Sequence, residues 1–362
     1  MVCTTDSMIW NFLVPHIQEM QKMGFSIDCA CSVTGNFFED LEKKYSYHMH
    51  EIAFERSPYS PKNINAYVKL KKLVQNNGYN TIFCHEPIGG VMGRLVGHKY
   101  GCKVIYMAHG FHFYYGAPKM NWILYYTAEK LLSHFTDVLV TINKEDYEAS
   151  LKFKAKKSIK INGIGFNTSI FRCDCDPAYI RKELNLANDD VILLSVGELI
   201  KRKNHMSIFE AMKVIDNSKI HYVIAGDGVL KQSLQKRIND LGLTNQIHLL
   251  GYRHDISKLC NSADLFVLPS VQEGLSVALM EAMACAKPII ASRIRGNIDL
   301  IDPGVGGFLV DTFDVPGYVS AIQQIINSHD NAQKMGAYNT KKVKEYDLEY
   351  VKEQMKEIYK EF

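Results

Sequence analysis

The chain alternates short apolar runs with longer amphipathic segments, and this alternation restricts the possible fold more than any other feature. The apolar runs form one series in each half of the chain: FSIDCACSV, YNTIFCH, KVIYMAHG and DVLVTIN, followed by VILLSVGEL, IHYVIAGDG, QIHLLGY, DLFVLPS and KPIIAS. Near-continuous apolar runs are typical of parallel strands that are buried on both faces. Helical segments between such strands form right-handed βαβ units. The sequence therefore predicts an α/β protein with two Rossmann-like domains in series.

The boundary between the two domains is predicted within residues 154–172, a segment rich in Lys, Gly and Asn that separates the two series. A chain of 362 residues is long enough for two domains of ordinary size. We predict an N-terminal domain at 1–165 and a C-terminal domain at 166–344. MVCTT is only the end of an expected first strand, so either that strand is short or its start has been trimmed.

Charge and composition argue against several classes of protein. A net charge of +3 does not suggest a protein that binds nucleic acid. No apolar run approaches the ~20 residues that a membrane-spanning helix needs. No basic leader precedes an apolar stretch, so we expect a cytoplasmic location. The nine cysteines lack C-x-x-C spacing, and we expect them to be reduced.

A possible metal motif occurs in CDCD, where Asp174 and Asp176 have the D-x-D spacing with which transferases of a different fold bind metal. Asp176 directly precedes Pro177, which is typical of a helix cap. We therefore expect no metal ligation at this segment.

The loops that follow the strands are the expected positions of a ligand site, because ligands of open α/β sheets bind beyond the carboxyl ends of the strands. After the strand that ends at Gly197, the chain continues with Lys201, Arg202 and Lys203 into a helix. Cations at the start of a helix suit a diphosphate, although a solvated basic turn is an equal alternative. After QIHLLG, the pair Tyr252 and Arg253 is positioned to face a base.

The stretch VQEGLSVALMEAMA places Glu273 and Glu281 eight positions apart. On a single helix, eight steps return to nearly the same face about 12 Å further along the axis, so both acids could line one wall of a site. The alternative is a glutamate at the helix dipole and an unrelated surface glutamate. Residues 274–276 (Gly, Leu, Ser) would offer backbone N–H groups to a phosphate, leaving Glu281 near a ribose.

The segment SVQEGLSVALMEAMACAKPIIASRIRGNIDLIDPGVGGFLV closely resembles the donor-site signature of glycosyltransferase family 4, including its E-x7-E motif. The segment from YNTIFCHEP to INKEDY resembles the branch that builds bacterial capsular and exopolysaccharide units. The resemblance implies a GT-B fold, with two Rossmann-like domains facing a central cleft and residues 345–362 packing back on the N-terminal domain. It also implies a retaining transfer from a nucleotide sugar, usually a UDP-sugar, without a required metal or other cofactor.

Site residues carry over from the family position by position. Glu281 matches the acid that holds the ribose, Glu273 the acid near the donor sugar, and Lys203 the lysine at the diphosphate. His109 matches the active-site histidine of the N-terminal domain. The implied catalytic residues are His109, Glu273 and Lys203. The implied donor-binding residues are Gly197, Arg202, Lys203, Tyr252, Arg253, Glu273, Gly274, Leu275, Ser276 and Glu281. The implied acceptor-side residues are Asp6, Glu86, His109 and Gly110.

The sequence departs from the family pattern at two places. Many members carry an arginine after the glycine of SVG, but here that position is Glu198, and Arg202 or Arg253 would have to supply the missing cation. Many members also carry glycines in the first strand-helix loop, which here is CTTDSMIW. Asp6 in that loop either contacts acceptor hydroxyls or caps the following helix.

The implied acceptor is a sugar on a polyprenyl diphosphate at the inner face of the membrane. The segment GFHFYYGAPKMNWILYYTAEKLL combines aromatic and basic residues, which favour a bilayer interface, so we expect peripheral membrane association. The alternative is that the rings pack on the N-terminal sheet.

Two other functions remain open. One is a UDP-sugar epimerase of related fold, which needs no acceptor. The other is a non-catalytic nucleotide-sugar binder, for which Glu198 leaves room.

Overall fold

The computed structural model describes residues 1–171 and 175–362, so Cys173 and Asp174 of CDCD lie outside the described residues. The chain divides into two compact units. Unit 1 contains Met1–Phe166 and Leu348–Phe362, and unit 2 contains Asn167–Asp347. These limits differ from the predicted ones by one to three positions.

Unit 1 is built on a parallel sheet with strand order β3-β2-β1-β4-β5-β6-β7. Its strands are β1 Val2–Thr5, β2 Asp28–Ser32, β3 His48–Glu51, β4 Thr81–His85, β5 Lys103–Ala108, β6 Val138–Thr141 and β7 Lys157–Lys160. Its first eight helices are α1 Asp6–Met8, α2 Val14–Lys22, α3 Phe37–Tyr45, α4 Lys62–Asn77, α5 Pro87–Tyr100, α6 Lys119–Asn121, α7 Thr127–Leu132 and α8 Lys144–Ser150. Segments of π-helix at Ile9–Leu13 and Trp122–Tyr126 join α1 to α2 and α6 to α7, and a 3-10 turn covers Ser133–Phe135.

Unit 2 is built on a second parallel sheet, which has strand order β10-β9-β8-β11-β12-β13 in the described part of the chain. Its strands are β8 Val191–Val196, β9 Ile220–Ala225, β10 Ile247–Gly251, β11 Leu265–Leu268, β12 Ile289–Ser292 and β13 Gly307–Val310. Its helices are α9 Tyr179–Leu184, α10 Met206–Ile215, α11 Lys231–Asp240, α12 Ile256–Ser262, α13 Val277–Ala284, α14 Asn297–Leu300, α15 Val315–Ile326 and α16 His329–Lys342. Its 3-10 turns are Thr168–Phe171, Lys201–Lys203 and Val343–Tyr346. The two parallel sheets confirm the predicted α/β architecture.

The last helix, α17 (Leu348–Tyr359), belongs to unit 1, whose earlier residues it contacts through both apolar and charged side chains. The apolar face of α17 is buried, and the fully buried Met355 lies on it. Glu19 on α2 binds Lys356 at 3.0 Å and Lys352 at 3.6 Å. The backbone N–H of Leu348 donates to the carbonyl of Phe166 at 3.0 Å, which ties the start of α17 to the end of the N-terminal segment.

Strand β1 is shorter than its neighbours at the amino end. Val2 is paired with Ala30 of β2 and with Cys84 of β4, so β2 begins two positions earlier and β4 three positions earlier. An apolar cavity of about 90 Å³ lies beside this shortfall, lined among others by Ile27 and Ile82.

The remaining expectations on cysteines, metal and membrane spans have mixed outcomes. Seven cysteines are free and buried, but Cys175 is disulfide-bonded, so the expectation of reduced cysteines is wrong for that residue.

The carboxylate of Asp176 accepts from the N–H of Ala178 at 2.9 Å and binds Lys182 at 2.6 Å, just before α9. No helix within residues 1–171 and 175–362 has both the length and the apolar character needed to cross a bilayer.

Candidate active site

The loop after β8 brings a buried lysine against a glycine. Gly197 directly follows the strand and has φ 154°, and a Cβ at this position would lie only 2.8 Å from Cε of Lys203. A side chain at 197 would therefore displace the lysine stem, which is why the loop requires glycine. Lys203 ends the 3-10 turn Lys201–Lys203 and is only 8% exposed, whereas Lys201 is exposed.

Glu273 is held by two cations from that turn. Its Oε1 accepts from Nζ of Lys203 at 2.8 Å, and its Oε2 accepts from NH1 of Arg202 at 3.0 Å. The backbone of Arg202 also accepts from the N–H of Val271 at 2.8 Å, and its guanidinium donates to the carbonyl of Gln272 at 2.9 Å. The loop after β11 is thus fastened to the loop after β8. The site has two cations sharing one carboxylate, which leaves excess positive charge for an anion.

The acid Glu273 precedes helix α13 instead of lying on it. The helix begins at Val277, and Ser276 is its N-cap, with extended backbone and a hydroxyl that accepts from the N–H of Leu279 at 3.4 Å. The expectation that Glu273 and Glu281 share one helical face is therefore wrong. A serine competes with the helix for backbone hydrogen bonds, so the helix starts after it and not before.

The loop before α13 rests on a second glycine loop, which the predicted donor-binding set does not include. Gly296 has φ 79°, and a Cβ there would lie 2.3 Å from the carbonyl oxygen of Gly274. Arg295, only 4% exposed, donates through Nε to the carbonyl of Glu273 at 3.2 Å. The available signal was the position of RIRGN directly after strand β12, at the same end of the sheet as the other loops.

Glu281 differs from Glu273 in having no partner. It lies on α13 and is half-buried, and its carboxylate makes no hydrogen bond or ion pair among the described residues. Burial raises the pKa of Glu281 to about 7. A carboxyl group without a partner at this depth is costly in its charged form, which is typical of a group that binds a ligand.

Arg253 does not supply a free cation. It donates to Glu183 at 2.5 and 3.0 Å and to Asp255 at 2.8 and 2.6 Å. These hydrogen bonds hold the pKa of the Asp255 carboxyl well below its usual value. The suggestion that Arg253 replaces the family arginine at Glu198 therefore lacks support, whereas Arg202 already lies beside Lys203 through their common carboxylate. Glu198 itself is exposed.

Tyr252 follows β10 and is 73% exposed, with its ring edge-on to His254 at a centroid distance of 4.9 Å. An exposed ring at the carboxyl end of a strand remains available to stack on a base.

In unit 1, His109 lines a cavity of about 210 Å³ at the end of β5. The cavity is also lined by Glu86, Pro87, Tyr106, Gly110, Phe111, His112, Tyr125 and Glu129. Nε2 of His109 lies 3.2 Å from Nδ1 of His85, a residue that the sequence analysis did not assign. Burial lowers the pKa of His109 to about 4, so the ring is neutral at pH 7.

Glu86 enters this cavity wall from a strained backbone. It has φ 61° and ψ 165°, a region that residues other than glycine rarely adopt. Its Oε2 accepts from the N–H of Thr4 at 2.9 Å, and burial raises its pKa despite that bond. The carboxylate of Glu129, which the sequence analysis also missed, accepts from NH1 of the fully buried Arg94 at 2.7 Å.

Asp6 is not available to an acceptor. It is 0% exposed, and its carboxylate accepts from the backbone N–H groups of Ser7 at 2.8 Å, Thr34 at 3.1 Å and Phe38 at 3.1 Å. The bond to Phe38 satisfies an N–H at the start of α3, not at the start of the helix that Asp6 opens, where Thr5 is the N-cap. The acceptor alternative for Asp6 therefore lacks support. The capping alternative holds only for the N–H of Ser7, because the carboxylate also fastens the loop before α3 through Thr34 and Phe38.

Comparison with known proteins identifies the family. Residues 178–342 match the model described as glycosyl transferases group 1, and residues 2–143 match the glycosyl transferase 4-like model. The putative glycosyltransferase EpsD of Bacillus subtilis is 33% identical over 365 residues, which cover 98% of this chain and 94% of EpsD. The chain is a glycosyltransferase of the family 4 type.

More distant relatives and solved structures agree with this assignment. This chain is 29% identical to the UDP-Gal:alpha-D-GlcNAc-diphosphoundecaprenol alpha-1,3-galactosyltransferase of Escherichia coli. The match extends over 273 residues, which cover 73% of this chain and 70% of that protein. The crystal structure of Anabaena HepE in complex with UDP has a TM-score of 0.81 at 17% identity and covers 100% of this chain and 99% of its own. Sucrose-phosphate synthase of Thermosynechococcus elongatus has a TM-score of 0.81 at 18% identity, covering 99% of this chain and 98% of its own. The glycosyltransferase has the GT-B fold.

The structure brings the predicted site residues of the glycosyltransferase into separate groups. In unit 2 it joins Lys203, Arg202 and Glu273 in direct contact, ahead of the helix that carries Glu281. In unit 1 it joins His109, Gly110 and Glu86 around one cavity. In the described parts of the chain, no three His, Cys, Asp or Glu side chains lie close enough to hold a metal ion.

Proposed function

We propose that this glycosyltransferase moves a sugar from a UDP-sugar to a sugar on a polyprenyl diphosphate, with retention of configuration and without a metal, in capsule or exopolysaccharide synthesis. The observation that carries the proposal is found in unit 2, where two cations bind Glu273 just before α13 and the carboxylate of Glu281 on that helix has no partner among the described residues. The relative in Escherichia coli acts on a lipid diphosphate according to its name, and the HepE crystals contain UDP.

The donor assignment is supported by the cations that bind the loop before α13 and by the carboxylate of Glu281 on the helix itself. Lys203 and Arg202 suit a diphosphate, and the N–H groups around Ser276 add the positive end of the helix dipole. Glu281 lies five positions beyond Ser276, or about 7.5 Å along the axis. A ribose attached to the diphosphate would reach that carboxylate, and its hydroxyls would donate to it.

The chemical step requires stabilisation of the leaving diphosphate. The bond between the donor C1 and the diphosphate oxygen breaks as an acceptor hydroxyl attacks the same face of the sugar. The leaving oxygen gains negative charge and accepts the hydroxyl proton, so no separate base is needed. Lys203 is already fixed by Glu273 at 2.8 Å, and such a preorganised cation stabilises the developing charge without reorganisation. The His109 cavity of unit 1 is assigned to the acceptor side.

The function test is a transfer assay with a panel of UDP-sugars and a short-chain polyprenyl-diphosphate-linked sugar, with EDTA present. The proposal expects one donor to be consumed only when the acceptor is present, and an anomeric coupling constant in the product that matches the donor. Conversion of the UDP-sugar without acceptor would indicate an epimerase. UDP binding without any transfer would indicate a non-catalytic binder, and loss of transfer in EDTA would refute metal independence.

The membrane proposal rests on one exposed surface of unit 1, which we call the 119–132 surface. The aromatic side chains of this segment were expected either to contact a membrane or to pack on the N-terminal sheet. Phe111 and Phe113 are buried in the core, as the packing alternative expects, whereas Tyr115 is 92% exposed. Exposed apolar side chains on or beside the helical segment 119–132 are Tyr115, Met120, Trp122, Ile123, Leu124 and Leu131. Lys119 and Lys130 are exposed on the same segment. Apolar side chains beside lysines suit an anionic bilayer interface.

We expect the protein to float with phosphatidylglycerol-containing vesicles, and Ile123→Ser with Leu124→Ser to lower the bound fraction about fivefold. Each partly inserted aliphatic side chain contributes roughly 0.5 kcal/mol, and the two together give about that factor. Flotation on a density gradient measures it. The matched control is Val214→Ser in unit 2, also an exposed aliphatic side chain, at 65% exposure. Equal flotation of all three proteins, or no flotation of the wild type, would contradict the proposal.

A further inference from the structure

Two histidines end neighbouring strands of the unit 1 sheet. His85 is the last residue of β4, and His109 directly follows β5, the strand paired with β4. Nδ1 of His85 lies 3.2 Å from Nε2 of His109, and the rings are nearly parallel, with centroids 5.4 Å apart. His85 is 0% exposed, whereas His109 lines the cavity. The two rings therefore share one hydrogen bond, with one ring inside the protein and the other at the site.

Both rings are neutral at pH 7, so the bond has one proton and two possible directions. Burial lowers the pKa of His109 to about 4 and that of His85 well below its usual value. Either His85 donates from Nδ1 to Nε2 of His109, or His109 donates from Nε2 to Nδ1 of His85. Each direction forces the tautomer of both rings, because a neutral imidazole carries one N–H.

The buried end of His85 favours the first direction. Its Nε2 is enclosed and has no hydrogen-bond partner in the described chain. If His109 donated, this atom would carry a hydrogen, leaving a buried N–H without an acceptor, which folded proteins rarely contain. If His85 donates, its Nε2 carries only a lone pair. The single N–H of His85 then points to His109, and the single N–H of His109 is on Nδ1.

Among residues 1–171 and 175–362, no group other than His109 is found that would set the proton of His85. The ring of Phe83 packs against it at a centroid distance of 4.2 Å. The nearby His16 is already engaged at both nitrogens, with Nε2 2.8 Å from the carbonyl of Ile164 and Nδ1 3.4 Å from the hydroxyl of Tyr359. The bond to His109 is therefore the feature that orients the His85 proton.

We propose that His85 is a positioning residue that donates its Nδ1 hydrogen to Nε2 of His109 and thereby presents His109 to the cavity with a hydrogen on Nδ1. Nδ1 of His109 has no partner within residues 1–171 and 175–362 and is not among the enclosed atoms. In this tautomer His109 is a hydrogen-bond donor to a substrate oxygen and cannot serve as a base through the exposed nitrogen. The tautomer is argued from unit 1 alone, and its use in sugar transfer rests on the proposed function.

The direct test is a long-range proton–nitrogen correlation spectrum of the protein labelled with ¹⁵N-histidine at pH 7. Comparison with a His109→Asn variant assigns the His109 ring. We expect the pyrrole-type nitrogen of His109 to be Nδ1 and the pyridine-type nitrogen to be Nε2. A His109 ring protonated on Nε2 would overturn the proposal. This spectrum needs no substrate, so it tests the tautomer of His109 even if the proposed function is wrong.

A pair of variants at His85 separates hydrogen bonding from packing. Asparagine places its amide N–H where Nδ1 of histidine lies, whereas glutamine places its amide near Nε2. We expect His85→Gln to lower kcat on the order of tenfold, the equivalent of one hydrogen bond, and to shift His109 toward the Nε2–H tautomer. His85→Asn should recover most of both readouts.

Two results would contradict this role. Equal loss of kcat in the asparagine and glutamine variants, with the His109 tautomer unchanged in both, would mean that His85 acts only by packing. Full activity and an unchanged His109 tautomer in His85→Gln would mean that the bond has no positioning role.

Discussion

We expect Lys203→Met to lower kcat of sugar transfer by about 100- to 1,000-fold, the usual effect of removing one preorganised donor to a developing negative charge. Lys203 is the better buried of the two cations that bind Glu273, with a side chain 10% exposed against 39% for Arg202. Its charge is therefore less screened by water, and its stem is fixed over Gly197. Steady-state kinetics at saturating donor measures the loss.

The matched control is Lys201→Met, two positions earlier in the same 3-10 turn but exposed to solvent. This variant should stay within about twofold of the wild type, because an exposed charge is weakly coupled to the site. Lys203→Arg separates charge from geometry, since it keeps the charge but not the fit over Gly197. Thermal unfolding must show that Lys203→Met remains folded, which we expect because Arg202 also binds Glu273. Equal effects at 201 and 203 would refute the assignment of Lys203 to the diphosphate.

We expect Glu281→Gln to weaken UDP binding about ten- to a hundredfold, measured by calorimetric titration in EDTA. A hydrogen bond to a charged group contributes roughly 1.5–3 kcal/mol, and the amide offers the ribose a weaker acceptor. Glu210→Gln is the control, because Glu210 lies on α10 and binds Arg237 at 2.7 Å instead. Unchanged UDP affinity in Glu281→Gln would mean that this acid does not hold the nucleotide.

The pH dependence of the same titration identifies the charged form as the ligand-binding one. Burial raises the pKa of Glu281 to about 7, so the fraction of carboxylate grows between pH 6 and pH 8. UDP binding to the wild type should tighten over that range relative to Glu281→Gln. UDP itself titrates there, so the difference between the two proteins is the quantity to compare. A constant difference from pH 6 to pH 8 would contradict a titrating Glu281 at the ribose.

Without ligand, the same substitution should stabilise the protein at high pH. The folded state raises the pKa of Glu281 from 4.5 to about 7, so folding favours the protonated form. That favourable contribution is complete below the unfolded pKa and is lost as pH rises through the folded pKa. Glu281→Gln should therefore gain stability over the wild type between pH 5 and pH 8, by about 2–3 kcal/mol at the upper end. Urea unfolding without UDP at both pH values measures the gain.

The fold was largely predictable, and two of the three strands that were missed have a common cause. The prediction did not include β3 (His48–Glu51), β7 (Lys157–Lys160) or β13 (Gly307–Val310). All three lie at sheet edges, where one side of the backbone is unpaired. Strands β3 and β7 are also poorly buried, whereas β13 (GFLV) is apolar and mostly buried. The sequences HMHE and KSIK have no apolar run, so the signal that revealed the central strands is absent. For the same reason, the predicted boundary segment begins inside unit 1.

The sequence by itself determined where the site would be sought, because apolar runs specify parallel strands and parallel strands bring their following loops to one end of a sheet. The loops after the strands led to Lys203, Glu273 and Glu281, and the resemblance to glycosyltransferase family 4 added His109. Only the tertiary structure decided what each charge does. Arg253 is neutralised by Glu183, 70 positions away, and Lys203 binds Glu273, also 70 positions away.

The tertiary structure also decided the roles of Asp6, Glu281 and His85. Asp6 looked available until Thr34 and Phe38 were found beside it. Glu281 was assigned to the ribose from the sequence, but only the packing showed that its carboxylate has no partner among the described residues. His85 carried no signal except its place at the end of a strand. Partner choice depends on distances of a few ångströms between segments remote in sequence, and Coulomb and hydrogen-bond energies change steeply over such distances. Periodicity in the sequence specifies the elements, but only their packing fixes those distances.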